Sequence, residues 1–183
     1  MNSPVPFDEV SRLQALKRYA LLETPADPLF DEVVNLAAAL CRTPIAQVGF
    51  LSRDRLWIKA AVGLPIRRVP RRTSMSAYAI CKQGEMLVIP DTRLDWRFAK
   101  SSLLVRDPPV RFFAAMPLVE PTGYAIGTLM VMDYLPRCLL AAEQVVLQSL
   151  AQTAMALLES RQLAQRLEIE ESGRHQILKL APR

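Results

Sequence analysis

Side chains capable of covalent or acid–base chemistry are few and scattered in this sequence. It holds one histidine, His175, and three cysteines, Cys41, Cys81 and Cys138. His175 stands in the polar stretch GRHQILKL with no candidate nucleophile beside it, so no Ser/His/Asp or Cys/His constellation can be assembled within the domain. The cysteines are odd in number, far apart and form no C-x-x-C pair, which argues against a disulfide framework. Haem and zinc call for histidine or clustered cysteine, and a covalently held bilin for cysteine followed by histidine; no haem, bilin or metal is therefore expected. Gly123 and Gly127 fall on a hairpin and read as turn and sheet-packing residues, not as a phosphate-cradling loop. The basic cluster Arg67, Arg68, Arg71 and Arg72 lacks interleaved aromatics and a recognition helix, so it reads as a solvated loop and no nucleic-acid partner is expected. The chemistry left open is binding.

Composition narrows what can do the binding. The 183 residues are 51% hydrophobic, and 23 Lys+Arg against 18 Asp+Glu leave a charge of +5. That bounds the chain to one well-buried domain with residues to spare, and a large output module would have to lie on another chain. Half the residues being apolar, with both signs of charge interspersed, excludes a disordered chain. There is no basic flank followed by an apolar stretch at the start and no run near ~18 apolar residues, so neither membrane insertion nor export is expected and the reading is cytoplasmic.

The elements that must position any site follow from periodicity. Phe7 to Glu23 carries apolar residues at three- and four-residue steps, an amphipathic helix ended by Thr24-Pro25. Asp27-Pro28 then caps and starts a second helix through FDEVVNLAAALC. IAQVGFL and LWIKAAV read as a hairpin around Ser52-Arg53-Asp54-Arg55, followed by a long irregular crossing with Gly63, Pro65 and Pro70. A short helix is expected from Ser74, as N-cap, to Lys82, ended by Gly84. The strand MLVIP and a one- to two-turn helix from Asp91 to Phe98 come next, with Trp96 and Phe98 as apolar anchors. RFFAAMPLV and YAIGTLMVMD form a second hairpin around Glu120-Pro121-Thr122-Gly123. From Ala141 to about Glu171 the pattern is one long helix of roughly 45 Å. Its heptad seam runs through Val146, Leu150, Thr153, Leu157, Ser160, Ala164, Leu167 and Glu171 and weakens toward its end. Two readings of that seam stand: helix pairing in a homodimer, parallel or antiparallel, or packing on its own domain only. Helices at both ends of hairpin-linked strands imply an α+β fold on an antiparallel sheet.

Taken together, RLQALKRYALLETPADPLFDEVVNLAAALCRTPIAQVGFL, DRLWIKAAVGL, VIPDTRLDWRF, RFFAAMPLVEPTGYAIGTLMVMD and the PR-x-L-x-x-x-Q opening of the last helix resemble the GAF domains found at the front of bacterial diguanylate cyclases and sensor histidine kinases. The resemblance implies a PAS-like fold, with a central antiparallel sheet of five to six strands flanked by helices and a long C-terminal helix. Residues 1–160 would form the GAF domain with its N-terminal helices, and residues 161–183 a helical extension. It implies a regulatory module that senses a small molecule and biases its terminal helices, Val146, Leu150, Leu157, Ala164 and Leu167 lying on the dimer and signalling seam. An output kinase or cyclase domain would be its partner. Linkage sets the physical condition: a ligand shifts two helix arrangements only by its difference in affinity for them.

The family's pocket would lie under the short helices. Ser74, Ser76, Tyr78, Asp91, Arg97 and Phe98 on the covering segments, with Arg111, Phe113, Thr128 and Met130 on the strands, are its candidate lining. Ser76 and Tyr78 replace the cysteine and histidine of the related S-F-C-x-H-A-I stretch, and Met130 replaces the cysteine of G-T-L-C-V-x-D, which removes any role built on those groups. For each candidate a structural role competes: cap for Asp91, carbonyl or carboxylate partner for Arg97 and Arg111, core for Phe98, Phe113 and Met130. Two other functions stay open, a ligand-free dimerisation scaffold and an enzyme of the free methionine sulfoxide reductase type. The second is disfavoured because Cys81 alone lies near the pocket, without a resolving partner.

Overall fold

A six-stranded sheet organises the chain, and strands are added outward from its two central members, both buried on both faces. The computed structural model describes residues 4–22, 28–82, 84–99, 101 and 103–180, with side chains described to residue 169. Strand β1 (Ile45–Leu51) turns through Ser52, whose amide bonds the Arg55 carbonyl at 2.8 Å, into β2 (Arg55–Val62). A short β3 (Arg68–Pro70) pairs with the outer edge of β2. Strand β4 (Leu87–Ile89) forms the opposite edge against β5 (Phe112–Val119), which forms a hairpin with β6 (Ala125–Asp133). The spatial order is β3-β2-β1-β6-β5-β4, every neighbour antiparallel. This is the expected α+β architecture. β3 corrects the reading of 63–70 as wholly irregular: three residues suffice to cover the β2 edge, and Pro70 is tolerated because it ends an edge strand.

The helices divide between the faces. α1 (Glu9–Arg18), α2 (Pro28–Leu40) and α4 (Ala141–Leu180) cover one face, where Leu16, Phe30, Val34 and Leu147 pack against Val48, Phe50, Leu129 and Val131. The other face carries Ile45, Phe113, Met130 and Met132 beneath α3 (Ser76–Ala79) and a run of 3-10 turns, with Met75, Ile80 and Phe98 facing down. Alternation along β6 therefore separates two apolar sets, not an apolar from a polar one, which is why the strand reads as a continuous hydrophobic run. Gly127 permits the central pairing: a Cβ there would lie 2.3 Å from the Gly49 carbonyl oxygen. Gly123, at φ +95°, makes the hairpin turn.

Helix boundaries differ from the periodicity in instructive ways. α1 starts where the Asp8 carboxylate accepts the Ser11 amide at 3.0 Å, but ends at Arg18 instead of Glu23, because Ala20 turns into the left-handed region at φ +49°. Glu23, Thr24, Pro25 and Asp27 lie outside the described residues. Residues 71–82 are not one helix capped by Ser74; they split into 3-10 turns at Arg71–Thr73 and Ile80–Lys82 around α3, and the Ser74 hydroxyl makes no capping bond. Asp91 to Phe98 is likewise two 3-10 turns, Thr92–Leu94 and Trp96–Phe98, capped by Asp91 and Asp95. Phe98 is a buried anchor, whereas Trp96 is exposed.

α4 is 40 residues long, about 60 Å, and extends past the expected Glu171 to Leu180. Its start is fixed by Glu143, whose carboxylate accepts the Leu140 amide and a bond from Arg137. Arg137 also donates to the carbonyls of Cys41 and Arg42 and to Asp133, tying the end of α2, the end of β6 and the start of α4 together. The sheet-facing stripe is Leu147, Ala151, Ala154, Met155 and Leu158. No helix among the described residues is long and apolar enough to cross a membrane.

Candidate functional site: a lidded sheet face and its clamp to the terminal helices

The predicted pocket residues resolve into three small groups. In the first, Thr128 on β6 donates to Ser76 of α3 at 3.0 Å, and Ser76 donates to the Met130 sulfur at 3.6 Å. All three are buried, so a pair of hydroxyls sits inside an otherwise apolar layer between sheet and lid. In the second, Tyr78 and Phe98 stack edge-to-face with centroids 4.9 Å apart. The Arg97 guanidinium lies 5.1 Å from the Phe98 ring centre and 5.8 Å from that of Tyr78. In the third, Arg111 at the start of β5 grips Asp91 through two bonds of 2.9 and 2.5 Å. Phe113 packs in the same layer as Met130 and Phe98. Ser74 is buried with its hydroxyl unpartnered among the described residues.

Charge pairing neutralises the cations of this region. Arg97 forks onto Asp95, which sequence reasoning had not singled out, and hydrogen bonding from Arg97 holds the Asp95 carboxyl below the usual range. The bond from Arg111 does the same for Asp91. Both aspartates also cap 3-10 turns through the Arg93 and Arg97 amides, so one carboxylate fixes a turn and an arginine together. They border a groove of about 750 Å³ that runs past Trp96 and Arg137 to Cys138.

The lid is tied to the helices on the opposite face. Arg71, in its first turn, bonds Glu9 of α1, and Glu9 also receives Arg12 through two bonds of 2.8 Å. Arg12 and Arg71 are 1% and 5% exposed, so two buried guanidiniums converge on one partly exposed carboxylate. Burial raises the Glu9 pKa, but the bonds and charges of Arg12 and Arg71 outweigh it and hold it below 4.5. At its other end α1 meets α4: the Tyr19 hydroxyl bonds Glu159, and the Gln162 amide bonds the Arg18 carbonyl. The i, i+3 spacing of Glu9 and Arg12 was visible in sequence; Arg71, 62 positions away, was not.

The thiols are separated. Cys41 packs in the helix-side core, and Cys81 against the lid-side core, with the sheet between them; Cys138 is exposed. Burial pushes the Cys41 thiol up to about 11 and raises that of Cys81 as well, away from the thiolate form. The side chain of His175 lies outside the described residues. Among those described, no three His, Cys, Asp or Glu side chains are grouped to hold a metal ion.

On the seam of α4, Val146 and Leu150 are half-buried, while Leu157, Ala164 and Leu167 are exposed. At about 100° per residue this seam lies to one side of the sheet-facing stripe.

Comparison with known proteins agrees with this architecture. A family model described as a GAF domain matches residues 25–158. A cyclic di-GMP phosphodiesterase of Pseudomonas aeruginosa is 39% identical over 154 residues, 84% of this chain but 26% of that protein; the chain thus spans about a quarter of its relative's length. Among solved structures, the GAF domain of an Acinetobacter phosphoenolpyruvate-protein phosphotransferase matches with TM-score 0.60 at 15% identity, covering 85% of this chain and 95% of that one. The free methionine-R-sulfoxide reductase of Neisseria meningitidis matches with TM-score 0.59 at 19% identity, covering 90% and 98%. The blue-light-absorbing PixJ GAF domain of Thermosynechococcus elongatus matches with TM-score 0.55 at 18% identity, covering 98% and 100%.

Proposed function

The chain belongs to the GAF domain family, and from that premise we propose that it is a non-enzymatic sensory domain of a signalling protein, which binds a small molecule beneath residues 71–82 and passes the change through α1 to a paired α4. The observation that carries this reading is the buried hydroxyl pair Ser76–Thr128 against Met130, under a lid whose first residue is clamped to α1. Ligand sites are mostly apolar with a few convergent polar groups, and here those groups are reached only when the lid moves. Lid movement pulls on Arg71, Arg71 on Glu9, and α1 on Glu159 and Gln162 of α4. The ligand's preference for one lid position then becomes a preference for one α4 arrangement. By analogy with the Pseudomonas relative, the output would be an enzyme of cyclic-dinucleotide signalling, or a kinase, carried on a companion domain or partner.

The fold alone does not exclude catalysis, since methionine sulfoxide reductases share it. Two features weigh against that activity here. Cys41 and Cys81 face opposite sides of the sheet, and burial raises the Cys81 thiol's pKa, away from the thiolate form. The test combines two measurements. Native mass spectrometry and thermal shift across a nucleotide, amino-acid and metabolite panel are expected to find a ligand whose binding weakens in Thr128→Val. Thiol-dependent reduction of methionine sulfoxide that vanishes in Cys81→Ser would overturn the non-enzymatic reading.

A further inference from the structure

Where the start of α1 meets the β1–β2 turn and the turn after β3, a depression of about 440 Å³ is lined by Val5, Glu9, Arg53, Asp54, Arg71 and Arg72. Its carboxylates are already engaged. Glu9 serves Arg12 and Arg71, while Asp54 accepts Arg55 at 3.0 Å and the Ser52 hydroxyl at 3.1 Å. Arg53 and Arg72 are exposed and have no carboxylate partner among the described residues. Beside them Arg71 is 5% exposed; it shares Glu9 with Arg12 and donates to the Ser52 and Pro4 carbonyls, and its Nε has no hydrogen-bond partner among the described residues. Three guanidinium groups thus share one concave surface with two carboxylates that Arg12 and Arg55 also engage. The buried arginine of the three that line it shares its carboxylate with Arg12, and the two exposed ones have none, so the surface carries an excess of positive charge.

We infer that this depression is a binding site for a small, multiply charged oxyanion of the phosphate class. Planar guanidinium forks match phosphate oxygens bidentately, and the unpaired Arg53 and Arg72 forks, with the Arg71 charge beside them, favour a ligand with several oxygens over a monovalent anion. Two chain segments, the β1–β2 turn and the turn after β3, bring the arginines together, so the site exists only in the folded chain. The bound oxyanion competes with Glu9 for Arg71 and loosens the hold of α1 on the lid. The site neither overlaps the Ser76–Thr128 pair nor depends on a ligand binding there.

Isothermal titration calorimetry of the 183-residue chain with inorganic pyrophosphate tests this, with chloride and acetate as controls at fixed ionic strength. Saturable 1:1 binding that weakens with salt is expected for pyrophosphate alone. Arg53→Ala and Arg72→Ala, both exposed and therefore leaving the unliganded melting temperature unchanged, should each weaken it about tenfold. Arg106→Ala, on a separate exposed loop, should not change it. Glu9→Gln should tighten it by removing the competing charge. No saturable binding, equal affinity in the Arg53 and Arg72 variants, or an equal loss in Arg106→Ala would overturn the assignment.

Discussion

Replacing Glu9 by glutamine isolates the clamp between lid and helices. Glu9 accepts two bonds of 2.8 Å from Arg12 and a further one from Arg71, and both arginines are almost wholly buried. Removing one partner of a buried ion pair costs about 3–5 kcal/mol, since the remaining charge is stranded without water. The glutamine oxygen keeps one acceptor and the Glu9 side chain is 17% exposed, so the expected loss is at the low end, about 3 kcal/mol. For a domain of this size that corresponds to a melting temperature lower by roughly 6–12 °C. The pH dependence adds a signature that a packing defect would lack. The folded pKa of Glu9 lies below its ordinary 4.5, so its stabilisation is complete above that value and is lost as pH falls through the folded pKa. Urea denaturation should therefore show the full gap between wild type and Glu9→Gln at pH 7, and a gap that closes progressively below about pH 4.5. A variant within about 0.5 kcal/mol of wild type at pH 7, or a gap that stays constant into acid, would refute the claim that charge holds α1 to the lid.

Two further outcomes are expected. In a double-mutant cycle, Ser76→Ala and Thr128→Val should each cost about 1–2 kcal/mol, and the double variant should cost about 1 kcal/mol less than their sum, because it leaves no orphaned hydroxyl; strict additivity would show that the pair does not interact. Leu157→Glu with Leu167→Glu should convert a dimer to a monomer by light scattering while changing chain stability by less than about 0.5 kcal/mol, and a monomeric wild type at micromolar concentration would remove helix pairing from the proposal.

Local pattern was enough where a residue's role depends on near neighbours in the chain. The strands IAQVGFL and YAIGTLMVMD, the hairpin turn at Gly123, the start of α2 at Pro28 and the long α4 all follow from runs of side chains a few positions apart. Asp91 caps a turn and Arg97 and Arg111 bind carboxylates, roles that residue type left open beside pocket lining. Local pattern failed at Ser74 and Trp96, where a capping residue type and an aromatic imply a cap and an anchor, yet the fold buries one hydroxyl without a bond and leaves the other side chain in solvent.

What only the tertiary structure decided is which distant groups meet. Composition and spacing determined an antiparallel α+β domain with a helix longer than its core requires. They could not place Arg71 of the lid against Glu9 of α1, Thr128 against Ser76, or Tyr19 against Glu159, because those pairs are separated by 62, 52 and 140 positions. Periodicity encodes the face a residue presents, and that is a local property of the backbone. Whether a presented charge is buried against another is set by how the sheet brings its two helical layers together, and in this protein those long-range pairs join the sheet to the lid, the lid to α1 and α1 to α4.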